Sequence, residues 1–159
     1  MAMSDRVSRY LDDHQVRYCI IPHPHSRSSV GTAISAEVPM HQVAKAVMLE
    51  SHEGKRLMAI VPADYKISLS KVNDEFHGQF KLIREPMVYQ MFEDCDLGAV
   101  PPMPKPYHLD AVYDEELMAS PFLFMESGDH ETLLQVSRDD FVRLMEQYPH
   151  TRFSSRAIH

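Results

Sequence analysis

The chain has 159 residues, 44% of them hydrophobic and 25% charged, with a formal net charge of −7. That length supports one domain with a real core. No apolar run approaches the roughly 20 residues that span a bilayer, so no membrane partner is expected. The acidic balance argues against DNA and against broad nonspecific nucleic-acid binding, while leaving room for a small basic face that takes an RNA end.

The N-terminal run Met1-Ala2-Met3-Ser4-Asp5-Arg6 has neither the basic nor the apolar zone of a signal peptide. Cys19 and Cys95 have no metal or redox spacing. Both points lead to the expectation of a cytoplasmic protein with free thiols.

Along the chain, Ser4 is placed to cap a first helix carrying Val7, Tyr10 and Leu11 at helical spacing. Arg17 to Ile21 reads as a strand ended by Pro22 and Pro24. Gly31 to Glu37 reads as a short helix stopped before Pro39. Ala44 to Glu50 and Arg56 to Val61 form a predicted hairpin around Ser51-His52-Glu53-Gly54-Lys55. Ser70 is the expected cap of a helix bearing Val72 and Phe76. Phe80 to Ile83 reads as a strand, and Pro86 suits the first turn of a helix with Val88, Met91 and Phe92 on one side.

Further strands are expected at His108 to Tyr113, Phe122 to Met125 and Thr132 to Val136, the last two joined by a turn at Ser127-Gly128-Asp129. Ser137 caps a last predicted helix with Phe141, Leu144, Met145 and Tyr148. From Pro149 the chain becomes polar and basic and reads as a loose tail. The division expected is therefore a domain over 1–148 and a tail over 149–159. Irregular interleaving of helices and strands predicts one α/β domain around a mixed, curved sheet.

Lys45 stands out because strand alternation puts it on the face of Val47 and Leu49. An ammonium aimed at an apolar face loses water and needs a compensating partner. It either binds a carbonyl or phosphate oxygen in a pocket or snorkels to solvent from a strand end. Flanking Ala44 and Ala46 leave room around the amine. His41, just before this strand, is placed to line the same pocket.

The run Gly98-Ala99-Val100-Pro101-Pro102-Met103-Pro104-Lys105-Pro106 is the second unusual element. A glycine lets a ligand approach the backbone and present a bare N–H, and prolines hold such a site preorganised. A rigid surface connection or a polyproline segment for a partner explains the same residues.

His23 and His25 form a His-x-His pair of the kind zinc sites use, but no other cluster completes a site, so no metal is expected. His130 is either a hydrogen-bonding or acid–base group or a solvated turn residue. No Gly-x-Ser-x-Gly elbow or phosphate-binding glycine loop occurs, and acidic neighbours disfavour a Cys95 thiolate. In an enzyme, the attacking group would then be water or part of the substrate, and no cofactor is implied.

In chain order, His23-Pro24, Thr32 to Glu37, the run His41-Gln42-Val43-Ala44-Lys45-Ala46-Val47, Val61-Pro62-Ala63-Asp64, Gly98-Ala99-Val100-Pro101-Pro102 and Asp114 resemble motifs of one family. This is the YbaK/ProXp family of trans-editing aminoacyl-tRNA deacylases, related to the editing domain of bacterial prolyl-tRNA synthetases. The resemblance spans about Val16 to Gln147. It implies a compact α/β fold with a barrel-like mixed sheet surrounded by helices, and hydrolysis of the ester joining a wrong amino acid to a tRNA 3′ end.

By the same resemblance the site needs neither metal nor protein nucleophile. Lys45 and Gly98 carry catalysis, and His23, Thr32, His41, Ala99, Pro101, Pro102 and His130 contribute substrate contacts. The implied partner is mischarged tRNA, with weak association with an aminoacyl-tRNA synthetase. Many relatives follow the Pro-Pro pair with an aromatic residue and a glycine or serine, where this chain has Met103-Pro104-Lys105-Pro106. That departure bears on pocket shape, and a noncatalytic module binding a tRNA end, a nucleotide or a protein is the competing reading. A metalloenzyme built on His23 and His25 is a third.

Overall fold

The computed structural model describes residues 3–26 and 28–157. The described residues form five α-helices, α1 (Asp5–Asp13), α2 (Ser29–Ala36), α3 (Leu69–Phe76), α4 (Glu85–Met91) and α5 (Arg138–Leu144), all but α4 with a serine side-chain cap; α4 starts instead with a proline in its first turn. Ser4 accepts from Val7 N, Ser28 from Gly31 N and Ser137 from Asp140 N, each satisfying a first-turn donor that the helix itself cannot. α3 starts earlier than expected: Ser68, not Ser70, is its cap and accepts from Lys71 N at 3.4 Å.

The strands are β1 (Tyr18–Pro22), β2 (Val43–Ser51), β3 (Arg56–Pro62), β4 (Tyr65–Ile67), β5 (Phe80–Leu82), β6 (Asp110–Asp114), β7 (Phe122–Glu126), β8 (Thr132–Ser137), β9 (His150–Thr151) and β10 (Ser154–Arg156). Seven of them lie in the order β1-β8-β7-β2-β3-β6-β9, with β5 also pairing β2. The pairs β2/β7, β3/β6 and β6/β9 are parallel and the others in this sheet antiparallel, so the mixed α/β sheet expected from the sequence forms.

Alternation assigns each strand residue to one of two cores. Ala44, Met48, Met58, Ile60, Ala111, Tyr113, Leu123, Met125, Leu134 and Val136 face the larger core, which also receives Leu11 of α1 and Phe141 of α5. On the opposite face, Leu49, Leu57, Ala59, Val61 and Val112 pack with Val72 of α3. Val43, Phe124 and Leu133 pack with Ala33 of α2 farther along that face.

The loose tail expected from Pro149 is corrected by the structure. β9 extends the main sheet beside β6, β10 pairs antiparallel with β4, and Phe153 between them is fully buried. Buried Asp114 fastens the segment, accepting from Phe153 N at 3.0 Å and Ser154 Oγ at 2.6 Å, while its other oxygen accepts from Glu116 N at 2.9 Å. Two-residue and three-residue strands carry too little periodicity to read from sequence. The partners that order them lie about 40 and 90 positions upstream.

Candidate functional site

β2 carries Lys45 on the smaller-core face, in the register Lys45↔Val61. The side chain is half-buried and lines a cavity of about 580 Å³ with Val30, Val47, Asp64, Tyr65 and Arg156 among its walls. Lys45 Nζ donates to Tyr65 O at 3.4 Å, its hydrogen-bond partner among the described residues. An ammonium has three donors, so most of its bonding capacity is left for a ligand. Burial pushes its pKa down, and the nearby Asp64 carboxylate counteracts part of that.

His41 sits in a 3-10 turn, Met40–Gln42, at the start of β2. Its Nδ1 is 3.6 Å from Asp64 and its Nε2 3.3 Å from Glu116, and its ring meets that of Tyr65 edge-on at 5.4 Å. It therefore stands behind the cavity wall, positioning Asp64 and Tyr65, rather than among the residues that line the cavity.

Gly98 occupies a different place. It is exposed, has φ +83°, and lines a cleft of about 600 Å³ with His25, Glu85, Tyr89, Asp96, Leu97 and His130. That left-handed backbone is one glycine adopts without strain. Ala99 is buried, and its amide already donates to Asp96 O at 3.0 Å. Pro101 and Pro102 are buried, so they anchor the loop instead of facing the cleft. His130 is buried in the turn between β7 and β8, with φ +58°. Its Nε2 is bonded to Leu97 O, which ties that turn to the glycine loop.

The structure thus brings Gly98 and His130 together, and Lys45 with Asp64, Tyr65 and the nearby His41. The two groups line separate cavities. His25, before α2, lines one cavity, and Val30, in the first turn of α2, lines the other.

His23 and Thr32 are buried and line neither cavity. His23 Nδ1 is bonded to Pro24 O at 2.7 Å, and among the described residues its Nε2 and the Thr32 hydroxyl have no hydrogen-bond partner. His25 faces Glu131 at 3.6 Å instead of turning toward His23. Among the described residues, no group of three His, Cys, Asp or Glu is placed to hold a metal ion.

Glu126 is the residue that sequence reasoning passed over. It is 3% exposed, and among the described residues neither carboxyl oxygen has a hydrogen-bond partner. Burial pushes its pKa up to about 7, with Thr32 standing near enough to lower it somewhat and Asp129 raising it. Val43 pairs with Phe124 and Ala44 with Met125, so Lys45 and Glu126 follow on the same face of adjacent strands. A buried carboxyl that exchanges its proton near neutrality is the kind of group found where protons move. The signal was present: in Phe122-Leu123-Phe124-Met125-Glu126, alternation puts a charge on the Phe124 face, as it does for Lys45.

Among the described residues, no helix is long and apolar enough to cross a membrane. No curated protein matches the chain significantly by sequence. Solved structures match over nearly its whole length. Hypothetical protein APE2540 has a TM-score of 0.83 at 16% identity, covering 95% of this chain and 100% of its own. A proposed trans-editing enzyme for prolyl tRNA synthetase has a TM-score of 0.77 at 17% identity, covering 97% of this chain and 99% of its own. A proposed signal transduction protein from Marinobacter aquaeolei VT8 has a TM-score of 0.77 at 14% identity, covering 94% of this chain but 30% of its own. At such identities the likeness establishes the fold. The family itself follows from the sequence: the model of the aminoacyl-tRNA editing domain matches residues 23–144, so the chain belongs to that family.

Proposed function

We propose that this protein is an aminoacyl-tRNA deacylase that hydrolyses the ester of mischarged tRNA in the cytoplasm. Family membership supports a tRNA editing role. The observation that carries the finer reading is Lys45, a half-buried ammonium held by one long hydrogen bond at the wall of a cavity. Such a group is suited to hold the terminal nucleotide or the ester carbonyl. Because Gly98 lines a separate cleft, the proposal divides the substrate, with the terminal nucleotide at Lys45 and the ester carbonyl at the Gly98 backbone.

In the proposed reaction, water, the neighbouring ribose hydroxyl or a substrate thiol adds to the carbonyl carbon. The ribose oxygen then leaves with the bonding pair and takes up a proton. Attack by water releases a free amino acid and tRNA, with the water's proton passing to the ribose oxygen; attack by the ribose hydroxyl moves the acyl group to an isomeric ester and attack by the thiol frees the tRNA as a cyclic thioester forms, and water then cleaves either product to the free amino acid. Lys45 positions the ester and does not attack it. A chain bound to the charging synthetase would meet mischarged tRNA soonest, so a weak synthetase complex is part of the proposal.

The test is deacylation of a matrix of tRNAs charged with alanine, serine, threonine or cysteine. Turnover of at least one, reduced about 100-fold or more by Lys45→Ala, is expected from the loss of a preorganised electrostatic contact. A Lys45→Ala protein as fast as wild type would remove the assigned role. Tight tRNA binding without turnover of any ester would favour a noncatalytic module.

A further inference from the structure

The cavity beside Lys45 has an excess of cations among its lining residues. Lys45, Lys66 and Arg156 line it, against the single acid Asp64, in a protein of net charge −7. The rest of its wall is mainly apolar, with Met40, Val47, Ile67, Leu69 and Leu82. Its volume, about 580 Å³, lies in the range of small-molecule sites. An apolar chamber rimmed by cations suits a ligand with a flat apolar body and an anionic neighbour, which describes a nucleotide in an RNA strand.

Two of the cations come from the ribbon of β4 and β10, where Ser155 pairs with Lys66 and Arg156 with Tyr65. The ribbon is held firmly. Ala157 N donates to Asp64 O at 2.9 Å, and Phe153 is locked in the core. The Arg156 side chain, however, is 75% exposed, and its ion pair with Asp64 spans 3.6 Å. Asp64 is itself only 12% exposed and is met through Arg156 Nε, which leaves the two terminal amino groups of the guanidinium to grip a phosphate with two parallel hydrogen bonds.

We propose that the β4–β10 ribbon is an RNA-phosphate subsite. Arg156, on the Tyr65 face of the ribbon, engages the phosphodiester next to the terminal nucleotide of a tRNA 3′ end, Lys66 on the other face meets the following phosphate, and that nucleotide occupies the apolar cavity at Lys45. The proposal rests on the tRNA substrate assigned above, and binding tests it separately from catalysis.

Binding of uncharged tRNA is measured by fluorescence anisotropy across a salt series, for wild type, Arg156→Gln, Lys66→Gln and the double variant. Lys55→Gln, at the far hairpin end of β2, serves as the charge control, and thermal melting checks folding. The expected result is a Kd weakened about 10-fold in the double variant. Its slope of log Kd against log salt should be shallower by about 1, as follows from losing one or two single-strand phosphate contacts. Arg156→Lys should retain part of the affinity.

An unchanged Kd and slope in the double variant, an equal loss in Lys55→Gln, or no tRNA binding by wild type would each overturn the subsite. If the binding effect appears while wild type deacylates no charged tRNA, the subsite stands and the deacylase reading fails.

Discussion

Replacing Glu126 with glutamine isolates the cost of burying one carboxylate. In the folded protein this carboxyl keeps its proton up to about 7, against 4.5 for an unperturbed glutamate. Between those values the folded state binds more protons than the unfolded chain, so stability falls as pH rises. Above the folded pKa the whole cost is present. At about 1.4 kcal/mol per pKa unit, that shift is worth roughly 3 kcal/mol. Glutamine stays neutral at every pH and fills nearly the same volume.

Glu126→Gln should therefore match wild type at pH 4.5 and exceed it by roughly 3 kcal/mol at pH 8.5. For a chain of this size that is a rise in Tm of about 6–12 °C. Urea unfolding at both pH values, read by circular dichroism, measures the difference directly. Equal stability of the two proteins at pH 8.5, or a larger gain at pH 4.5 than at pH 8.5, would refute the reasoning. Either result would mean that the carboxylate finds a partner or water in its buried place.

Lys45→Met should abolish deacylation yet raise the Tm at pH 7, because burial disfavours the ammonium and a thioether removes that cost; a fall in Tm would show that the lysine holds the fold together. Asp114→Ala strips acceptors from three donors at once and should cost about 3 kcal/mol. Hydrogen exchange should then show the Ser154–Arg156 amides losing protection first, and uniform loss across the sheet would contradict the stapling role. Phe153→Ala empties a fully buried site and should cost about 3–5 kcal/mol in urea unfolding. A cost below about 1 kcal/mol would mean that the C-terminal segment is dispensable.

Much of the fold was legible because its signals are local. Ser4 and Ser137 each cap the helix that follows them, and Glu37 leaves α2 in a left-handed turn before Pro39. The β2–β3 hairpin follows from alternation interrupted by Gly54. Asp114 was visible as an acidic residue after β6, but its job was not. Its partners at positions 153 and 154 are about 40 residues away, and nothing around them signals a strand.

Lys45 and the Gly98 loop could each be picked out from residue chemistry, since a charge on an apolar strand face and a glycine before paired prolines are local oddities. Their placement could not. Whether two such elements share one cavity depends on sheet order and on what covers the intervening face, and here Lys45 and Gly98 line separate openings. The same holds for Arg156, which belongs to the Lys45 cavity only because β10 pairs with β4.

Sequence alone determined the longer elements, the family and the residues worth testing, because capping, alternation and motif order act over a few positions. Tertiary structure decided which residues are neighbours. It buried Glu126 without a partner, drew the basic C-terminus into a strand beside Lys45, and kept the glycine loop with His130. The reason is physical. Pairings between distant strands and the desolvation of a buried charge depend on the whole folded chain, and no short window of residues carries that information.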